Sequence, residues 1–326
     1  MNYKFNMLKA FGFLLVSIIF YAACNNSDDV KNVNANDKLE GTITISGAFA
    51  LYPMAVKWSE EFKKIHPNVK FEISAGGTGK GISDALAGLV DLGAASRDLK
   101  KEEKNNGAFP IAVTKDAVVG VFNISNPNAA EILKTGFTKE ALAGIFSTGT
   151  TQNWTQAGFS VSAPIHAYTR ADACGAGETW GKYFGIAQED LQGTGVFGDP
   201  GLLQSVLGDK NGIGYNNIAY AYDAETKKPL DGIKIVPIDI NRNGMIDADE
   251  NFYATLGELM TAIAAGKYPS PPARNLYFVS EGKPAKKEVL AFLDWVLTDG
   301  QKYVSEAGYV KLPDEQLAIE KNKFTN

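Results

Sequence analysis

The sequence predicts an α/β protein in which parallel strands alternate with helices that cover both faces of a sheet. Three observations lead to this prediction. Short β-branched runs recur after helical stretches, small residues lie at the junctions between strand and helix, and the chain is 326 residues long. That length corresponds to about two domains of about 150 residues, each able to bury its own core.

The first part of the sheet follows from residues 41–96, where strand and helix patterns alternate. Isoleucine alternates with threonine in 41–46, which is typical of a half-buried strand. The predicted elements are strand 41–46, a helix opened by Pro53 with Met54, Trp58, Phe62 and Ile65 on one face, strand 69–74, a helix after 76–79 with Ile82, Leu86 and Leu89 on one face, and strand 91–96.

The same succession continues into a second α/β unit and returns at the C-terminus. Residues 117–123 have the continuous apolar character of a buried strand. The later predicted elements are strand 117–123, helices 138–147 and 178–185, a helix over 202–207 capped by Asp199 with Pro200 at its first position, strand 276–280, and a helix with Val289, Phe292, Leu293 and Val296 on one face.

The composition excludes several classes of protein. A content of 45% hydrophobic residues with 33 Gly and 13 Pro does not suit a low-complexity or collagen-like chain. Two cysteines are too few for a disulfide scaffold. A formal net charge of -5 argues against a basic nucleic-acid-binding protein, and we expect no nucleic-acid partner.

The N-terminus has the pattern of an export signal. Lys4 and Lys9 precede an apolar run over 10–23 that is too short to span a bilayer of about 30 Å as a helix. Cys24 follows two alanines, which resembles the lipobox of bacterial lipoproteins, although Tyr21 stands where leucine is usual. An uncleaved anchor and an ordinary secretory signal are the alternatives.

We therefore predict a lipoprotein signal peptide over 1–23, a lipid anchor on Cys24 and a flexible tether over 24–38, which is rich in Asn and Asp. Cleavage would remove two lysines and no acidic residue, so the formal charge would change from -5 to -7. The protein would lie in the cell envelope, anchored to a membrane by its lipid and facing the periplasm or exposed at the surface. With Cys24 lipidated, Cys174 would have no partner for an internal disulfide.

Three strand-to-helix junctions are candidate anion sites. They cover residues 47–52, residues 76–79 together with Ser96 and Arg97, and residues 170–177. Small residues there leave backbone N–H groups accessible at a helix N-terminus, where unpaired donors and the helix dipole favour anions. Arginine adds planar donors that suit a tetrahedral oxyanion.

Six segments in this order resemble the phosphate-binding lipoproteins that deliver phosphate to phosphate-specific ABC transporters. The segments are ISGAFALYPMAVKW, SAGGTGKGISDALAGLVDLGAASRDL, FTKEALAGIFSTGTTQNW, TRADACGAG, GDPGLLQSVLGDKNGIGYNNIAYAYD and VLAFLDWVLTDGQKYVSEAGYVKLP. The resemblance implies a two-lobed, type II-like periplasmic binding fold, in which crossover strands join two mostly parallel sheets and the anion lies between the lobes. Lobe one would comprise 39–117 plus 272–326, and lobe two 118–271.

The resemblance also implies a set of ligand-binding positions at the three junctions. Carried over position by position, these are Ala50 and Leu51 in the first loop, Gly77 and Thr78 in the second, Ser96 and Arg97 after the third strand, and Arg170, Cys174, Gly175 and Ala176 in the last. It further implies ABC transporter membrane subunits as partners, a monomeric protein and no enzymatic activity.

This chain departs from the family pattern at several of these positions. The first loop lacks the usual hydroxyls, Cys174 and Ala176 replace a serine and a threonine, and Ser96 stands where some relatives have the aspartate that accepts a proton from phosphate. Asp98, Asp116 and Asp172 are alternative proton acceptors. Phosphate is the expected ligand, and sulfate, tungstate or a similar oxyanion is the alternative.

A twelve-residue segment in the second lobe matches the calcium loop of an EF-hand. It has oxygen-bearing side chains at positions 1, 3 and 5, glycine at position 6 and glutamate at position 12. The expected ligands are Asp239, Asn241, Asn243, the carbonyl of Met245, Asp247 and Glu250. We expect a structural calcium ion here, and an acidic solvated turn is the alternative.

Other kinds of site fit the sequence less well. Cys174 and His166 suggest a thiol dyad, but a buried loop residue and a strand-edge imidazole account for them more simply. No Cys/His cluster in the sequence has zinc-site spacing. A surface lipoprotein that contacts a macromolecule through calcium-stabilised lobes is the alternative to a transport protein.

Overall fold

The computed structural model describes residues 39–325, and the predicted signal peptide, Cys24 and tether lie outside these residues. The strands are β1 Gly41–Gly47, β2 Val69–Ala75, β3 Leu92–Ala95, β4 Ala108–Asn123, β5 His166–Arg170, β6 Thr194–Val196, β7 Gly212–Asn217, β8 Ile233–Ile235 and β9 Ala273–Glu281. The α-helices are α1 Tyr52–Ile65, α2 Thr78–Leu86, α3 Lys101–Asn105, α4 Ala129–Thr135, α5 Lys139–Phe146, α6 Gly175–Phe184, α7 Gly198–Leu207, α8 Ile218–Ala221, α9 Leu256–Ala264, α10 Lys287–Val296 and α11 Asp314–Thr325.

The strands of the described region form one mixed sheet with the order β2-β1-β3-β9-β4-β7-β5-β6, and β8 pairs with β4. The β1, β2 and β3 ladders are parallel, as are those of β5 with β6 and β7. The long strands β4 and β9 pair antiparallel with each other, from Ala108 opposite Glu281 to Ala117 opposite Ala273. The predicted parallel units are therefore present, and an antiparallel pair of long strands joins them.

The two largest hydrophobic cores of the described residues contain opposite ends of this antiparallel pair. The first contains Trp58, Phe62 and Phe292, and the rings of Phe62 and Phe292 pack edge to face. The second contains Trp180 and Tyr215, whose rings stack 5.4 Å apart. We call the halves built round these cores lobe one and lobe two. Ala117 and Ala273 pack in the second core, so the strands change lobes near these residues, and the predicted lobe boundaries stay a prediction.

The local patterns predicted most elements, and four predictions differ from the structure. Ile65, expected on the apolar face of α1, is the last residue of that helix and is 56% exposed. Helix α2 ends at Leu86, and Leu89 is 71% exposed instead of sharing a buried face. Asp199 lies inside α7 and is not its N-cap, since Phe197 is the residue before the first turn. Residues 117–123 are the last seven residues of the sixteen-residue strand β4, and Pro110 and Asp116 lie in the part before them.

Among residues 39–325, no helix is both long enough and apolar enough to cross a membrane.

Candidate functional site

The predicted junctions meet where the two lobes touch. A Cβ atom at Gly175, the first residue of α6, would lie 2.2 Å from Oγ of Ser96. A Cβ atom at Gly77 would lie 2.8 Å from the carbonyl oxygen of Ala173, and Gly77 also has a positive φ of 88°. Glycine at these two positions therefore lets the loops of the two lobes approach each other closely.

Two buried hydroxyls form the lobe-one side of this contact. Thr78 is the first residue of α2, and its Oγ1 lies 3.1 Å from Oγ of Ser96. The same Oγ1 accepts a hydrogen bond from the backbone N–H of Ser96 at 3.0 Å. Both side chains are buried, so two predicted site residues form one preorganised polar group beside Gly175.

Arg170 is held between two carboxylates at the end of β5. Its Nε and Nη2 donate to the two carboxylate oxygens of Asp172 at 2.8 and 2.5 Å, and its Nη1 donates to Oδ2 of Asp199 at 2.6 Å. Burial by itself would lower the pKa of Arg170, but the hydrogen bonds with Asp172 and the charge of Asp199 raise it. The guanidinium is therefore permanently charged and fixed in orientation.

Cys174 is the N-cap of α6, and its thiol is not activated. Its Sγ accepts a hydrogen bond from the N–H of Gly177 at 3.2 Å, and burial raises the pKa of the thiol to about 12. His166, the other member of the considered dyad, has its Nδ1 2.6 Å from Oδ2 of Asp209. The thiol therefore acts as a helix cap beside Gly175 and is not an activated nucleophile.

The first loop contributes Phe49, which is not among the predicted site residues. Phe49 reaches from lobe one over Arg170, with its ring centroid 5.3 Å from the guanidinium carbon. Its ring also packs edge to face on Phe197 and Tyr220 of lobe two. A single aromatic residue among Gly47, Ala48, Ala50 and Leu51 was the available signal.

The predicted donors Ala50 and Leu51 follow Phe49 in the first loop. Both residues are buried, and the N–H of Leu51 donates to the carbonyl oxygen of Ala48 at 3.1 Å. The carbonyl oxygen of Ala50 accepts a hydrogen bond from Oη of Tyr309 at 2.7 Å. The loop is thus held in place from within lobe one.

Arg97 connects the lobes instead of standing free in the cleft. Its two terminal nitrogens donate to Glu103 at 2.8 Å each, and its Nε lies 2.6 Å from Oε2 of Glu178 in α6. The contact with Glu178 is an ion pair whose N–H direction does not meet hydrogen-bond geometry. Burial would lower the pKa of Arg97, but Glu103 and Glu178 raise it.

Of the three candidate proton acceptors, Asp172 is the one that contacts Arg170 and lies beside Gly77 of the second loop. Its Oδ2 would be 3.3 Å from a Cβ atom at Gly77. Asp98 accepts a hydrogen bond from Oη of Tyr277, and Asp116 pairs with Arg274 on the crossover strands. Burial would raise the pKa of Asp172, but its hydrogen bonds with Arg170 and the N–H of Gly198 lower it, so this carboxyl is ionised.

The predicted calcium loop brings its oxygen-bearing side chains towards one another. Oε1 of Glu250 accepts from the N–H groups of Ile240 and Asn241, and Asp239 accepts from the N–H of Gly244. The side-chain amides of Asn241 and Asn243 both donate to Oδ2 of Asp247. Among residues 39–325, no group of three or more His, Cys, Asp and Glu side chains converges closely enough to hold a metal. The donor set is nevertheless all oxygen, which suits a hard cation.

The sequences of several proteins align with this chain over most of its length. A family model described as the PBP superfamily domain matches residues 32–300. The phosphate-binding protein PstS of Bacillus subtilis is 27% identical over 97% of this chain and 96% of its own length. The phosphate-binding protein PstS of Methanocaldococcus jannaschii is 27% identical over 94% of this chain and 91% of its own length.

Solved structures match the fold. A putative phosphate ABC transporter substrate-binding protein from Clostridium perfringens, solved with bound phosphate, has a TM-score of 0.69 at 24% identity and covers 84% of this chain and 100% of its own. An ABC-type phosphate transport receptor from Vibrio cholerae has a TM-score of 0.60 at 20% identity, with 83% and 100% covered. The predicted two-lobed fold is confirmed, and the chain belongs to the PBP superfamily.

Proposed function

We propose that this protein binds inorganic phosphate between its lobes and delivers it to an ABC importer. The observation that carries the proposal is the position of Arg170, a buried and permanently charged guanidinium that lies beside the N-terminus of α6. Backbone N–H groups at a helix start and a fixed arginine together favour a tetrahedral oxyanion. The names of the relatives, which are phosphate-binding proteins, support phosphate as that anion.

Calorimetry with phosphate tests this function directly. We expect saturable binding by the purified protein and a loss of at least about tenfold in affinity for Arg170→Lys, because lysine retains the charge but not the planar set of donors. Lys311→Ala removes an exposed lysine from the surface and should leave binding unchanged. If phosphate gives no binding heat and sulfate or tungstate does, that oxyanion is the ligand in place of phosphate.

The absence of heat with every oxyanion would favour the other function considered, a surface lipoprotein that contacts a macromolecule. We propose a binding protein without enzymatic activity, since Cys174 is a neutral, buried helix cap and His166 is paired with Asp209. A monomer is sufficient for this function, because both lobes of the cleft come from one chain. Sedimentation of the purified protein tests the monomeric state.

The location of the protein is a further part of the proposal. We propose that Cys24 carries a lipid anchor and that the lobes face the periplasm or the cell exterior. The sequence support is the basic start, the short apolar run and the Ala-Ala-Cys junction. Mass spectrometry of the protein from membranes should find a lipidated Cys24 as first residue, and Cys24→Ser should release the protein from the membrane fraction.

We also propose that the loop 239–250 binds one structural calcium ion. Asp239, Asn241, Asn243, Asp247 and Glu250 would supply side-chain oxygens, and Met245 its carbonyl oxygen. Among the described residues, the buried carboxylates of Asp239 and Glu250 accept hydrogen bonds only from backbone N–H groups. A cation would offset their negative charge. Such an ion would stabilise the turn between β8 and α9.

A further inference from the structure

A chain of buried polar contacts runs from the crossover strands to the arginine of the proposed anion site. Asp116 on β4 and Arg274 on β9 are direct partners in the antiparallel ladder, and Nε of Arg274 donates to Oδ1 of Asp116 at 2.9 Å. The next pair along the ladder, Ala117 and Ala273, already packs in lobe two. The ion pair therefore lies where the chain passes between the lobes.

The guanidinium of Arg274 extends from this pair into lobe two. It donates to the carbonyl oxygen of Gly175, to Oγ1 of Thr179 at 2.9 Å and to the side-chain oxygen of Asn217. Gly175 and Thr179 belong to α6, the helix whose N-terminus faces Ser96 of lobe one. Arg274 thus fixes the position of this helix from the crossover strands.

Asn217 carries the connection onward to Arg170. Its backbone N–H and its Nδ2 donate to Oδ1 of Asp199 at 3.0 and 2.8 Å. Oδ2 of Asp199, which is fully buried, accepts from Nη1 of Arg170 at 2.6 Å. Each member of this series is hydrogen-bonded to the next, so the polar contacts are continuous from Arg274 to Arg170.

We infer that Arg274 is a positioning residue for the anion site. Acting through Asn217 and Asp199 on Arg170, and through Gly175 on the start of α6, it couples the crossover strands to the affinity for the ligand. This inference rests on the proposed function, since its readout is phosphate binding. Buried arginine is suited to the role because its five planar donors reach four partners at once, whereas a lysine ammonium has three donors on one nitrogen.

The decisive experiment compares Arg274→Lys with wild type by calorimetry and stopped-flow phosphate binding. Lysine keeps a positive charge next to the buried Asp116 but cannot retain all four contacts. We expect the affinity for phosphate to fall about tenfold or more, as for the loss of hydrogen bonds to charged groups. Asn217→Ser, which shortens the link to Asp199, should weaken binding in the same direction and serves if Arg274→Lys does not fold.

A double-mutant cycle separates positioning from a general loss of stability. If Arg274 acts through Arg170, the effect of Arg274→Lys should be much smaller in an Arg170→Lys background, that is, the two losses should not add. Gln301→Ala removes two buried hydrogen bonds inside lobe one, so it should lower the melting temperature and leave phosphate affinity unchanged. Additive losses, or wild-type affinity for both Arg274→Lys and Asn217→Ser, would overturn the inference. Lack of phosphate binding by wild type would instead overturn the proposed function.

Discussion

Oε2 of Glu178 lies 2.6 Å from Nε of Arg97, and this ion pair joins lobe two to lobe one at the edge of the proposed anion site. Lys100 of lobe one also approaches the same glutamate, at 3.7 Å. Because both lobes must be close for these contacts to form, Glu178 favours the arrangement in which the site residues converge. A ligand that needs this arrangement binds more tightly when it is already favoured.

Glu178→Gln should therefore weaken phosphate binding without removing any residue that touches the ligand. We expect an increase of about two- to tenfold in the dissociation rate, because a partly exposed ion pair contributes about 1 kcal/mol or less, whereas removing one partner of a buried pair leaves an unpaired charge and costs more. Stopped-flow kinetics measures the rate. Glu140→Gln breaks an exposed pair with Arg242 and should have no effect. Equal effects of the two substitutions would contradict the interlobe role of Glu178.

Gly175→Ala tests the close approach of the lobes. The added methyl group would lie 2.2 Å from Oγ of Ser96, so the lobes must stay further apart. We expect phosphate affinity to fall about tenfold or more, which corresponds to the usual cost of overpacking. In small-angle scattering with saturating phosphate, Gly175→Ala should have a larger radius of gyration than wild type. Gly257→Ala in α9, where the methyl group meets nothing within 4 Å, is the control. Wild-type affinity for Gly175→Ala would refute the described interlobe contact.

Asp172→Asn tests how the site distinguishes phosphate from sulfate. The ionised carboxylate of Asp172 can accept a hydrogen bond from a protonated phosphate oxygen, whereas it repels a fully deprotonated sulfate. We expect the ratio of phosphate to sulfate affinity to decrease about tenfold. Competition calorimetry measures this ratio, and Asp190→Asn, on an exposed turn, is the control. An unchanged ratio would exclude Asp172 as the proton acceptor.

The thiol of Cys174 should be unreactive in the folded protein. In a Cys24→Ser background it is the only cysteine, and we expect no alkylation by iodoacetamide at pH 8 until the protein is unfolded. Since burial raises its pKa from 9.0 to about 12, the unfolded thiol ionises at lower pH than the folded one. Stability from this group is present below pH 9 and is lost as the pH rises towards 12.

Chemical denaturation at pH 8, 10 and 11 measures that loss. Cys174→Ser provides the comparison, because serine caps the helix and does not ionise in this range. Wild type should lose more stability than Cys174→Ser between pH 9 and 11. Rapid alkylation of the folded protein, or parallel pH profiles for the two proteins, would contradict the buried neutral thiol.

Removal of calcium should lower the melting temperature of the protein. We expect a chelator to destabilise wild type, added calcium to restore it, and Glu250→Gln to abolish both effects, because glutamine supplies neither the charge nor bidentate ligation. Asp249→Asn lies in the same loop at a position without a predicted ligand and should retain the response. Melting curves that are insensitive to chelator and to calcium would leave the loop as a solvated turn.

Much of the fold could be predicted because its patterns are local. The alternation in β1, the apolar face of α1 and the apolar face of α10 each depend on neighbouring residues alone. The part of β4 before residue 117 was not predicted as a strand, because Pro110 and Asp116 interrupt its apolar run. Asp116 is tolerated in a buried strand since Arg274, 158 positions away, neutralises it.

In the candidate site too, some residues could be identified from the sequence and others could not. The residue types at the ends of the strands, Arg170 and Gly175 among them, could be identified from the sequence and from a family resemblance. Asp199 was misread as a helix cap, because an Asp-Pro pair usually begins a helix, whereas its carboxylate accepts from Asn217 and Arg170.

The local elements, the small residues at their junctions and the acidic loop at 239–250 could all be identified from the amino-acid sequence. The position of Phe49 over Arg170, the contact of Glu178 with Arg97 across the lobes and the hydrogen bond from Arg274 to Asn217 depend on how the chain folds in three dimensions. Periodicity reports the environment of neighbouring residues, whereas a charged side chain is satisfied by whichever distant partner the folded chain brings within hydrogen-bond distance.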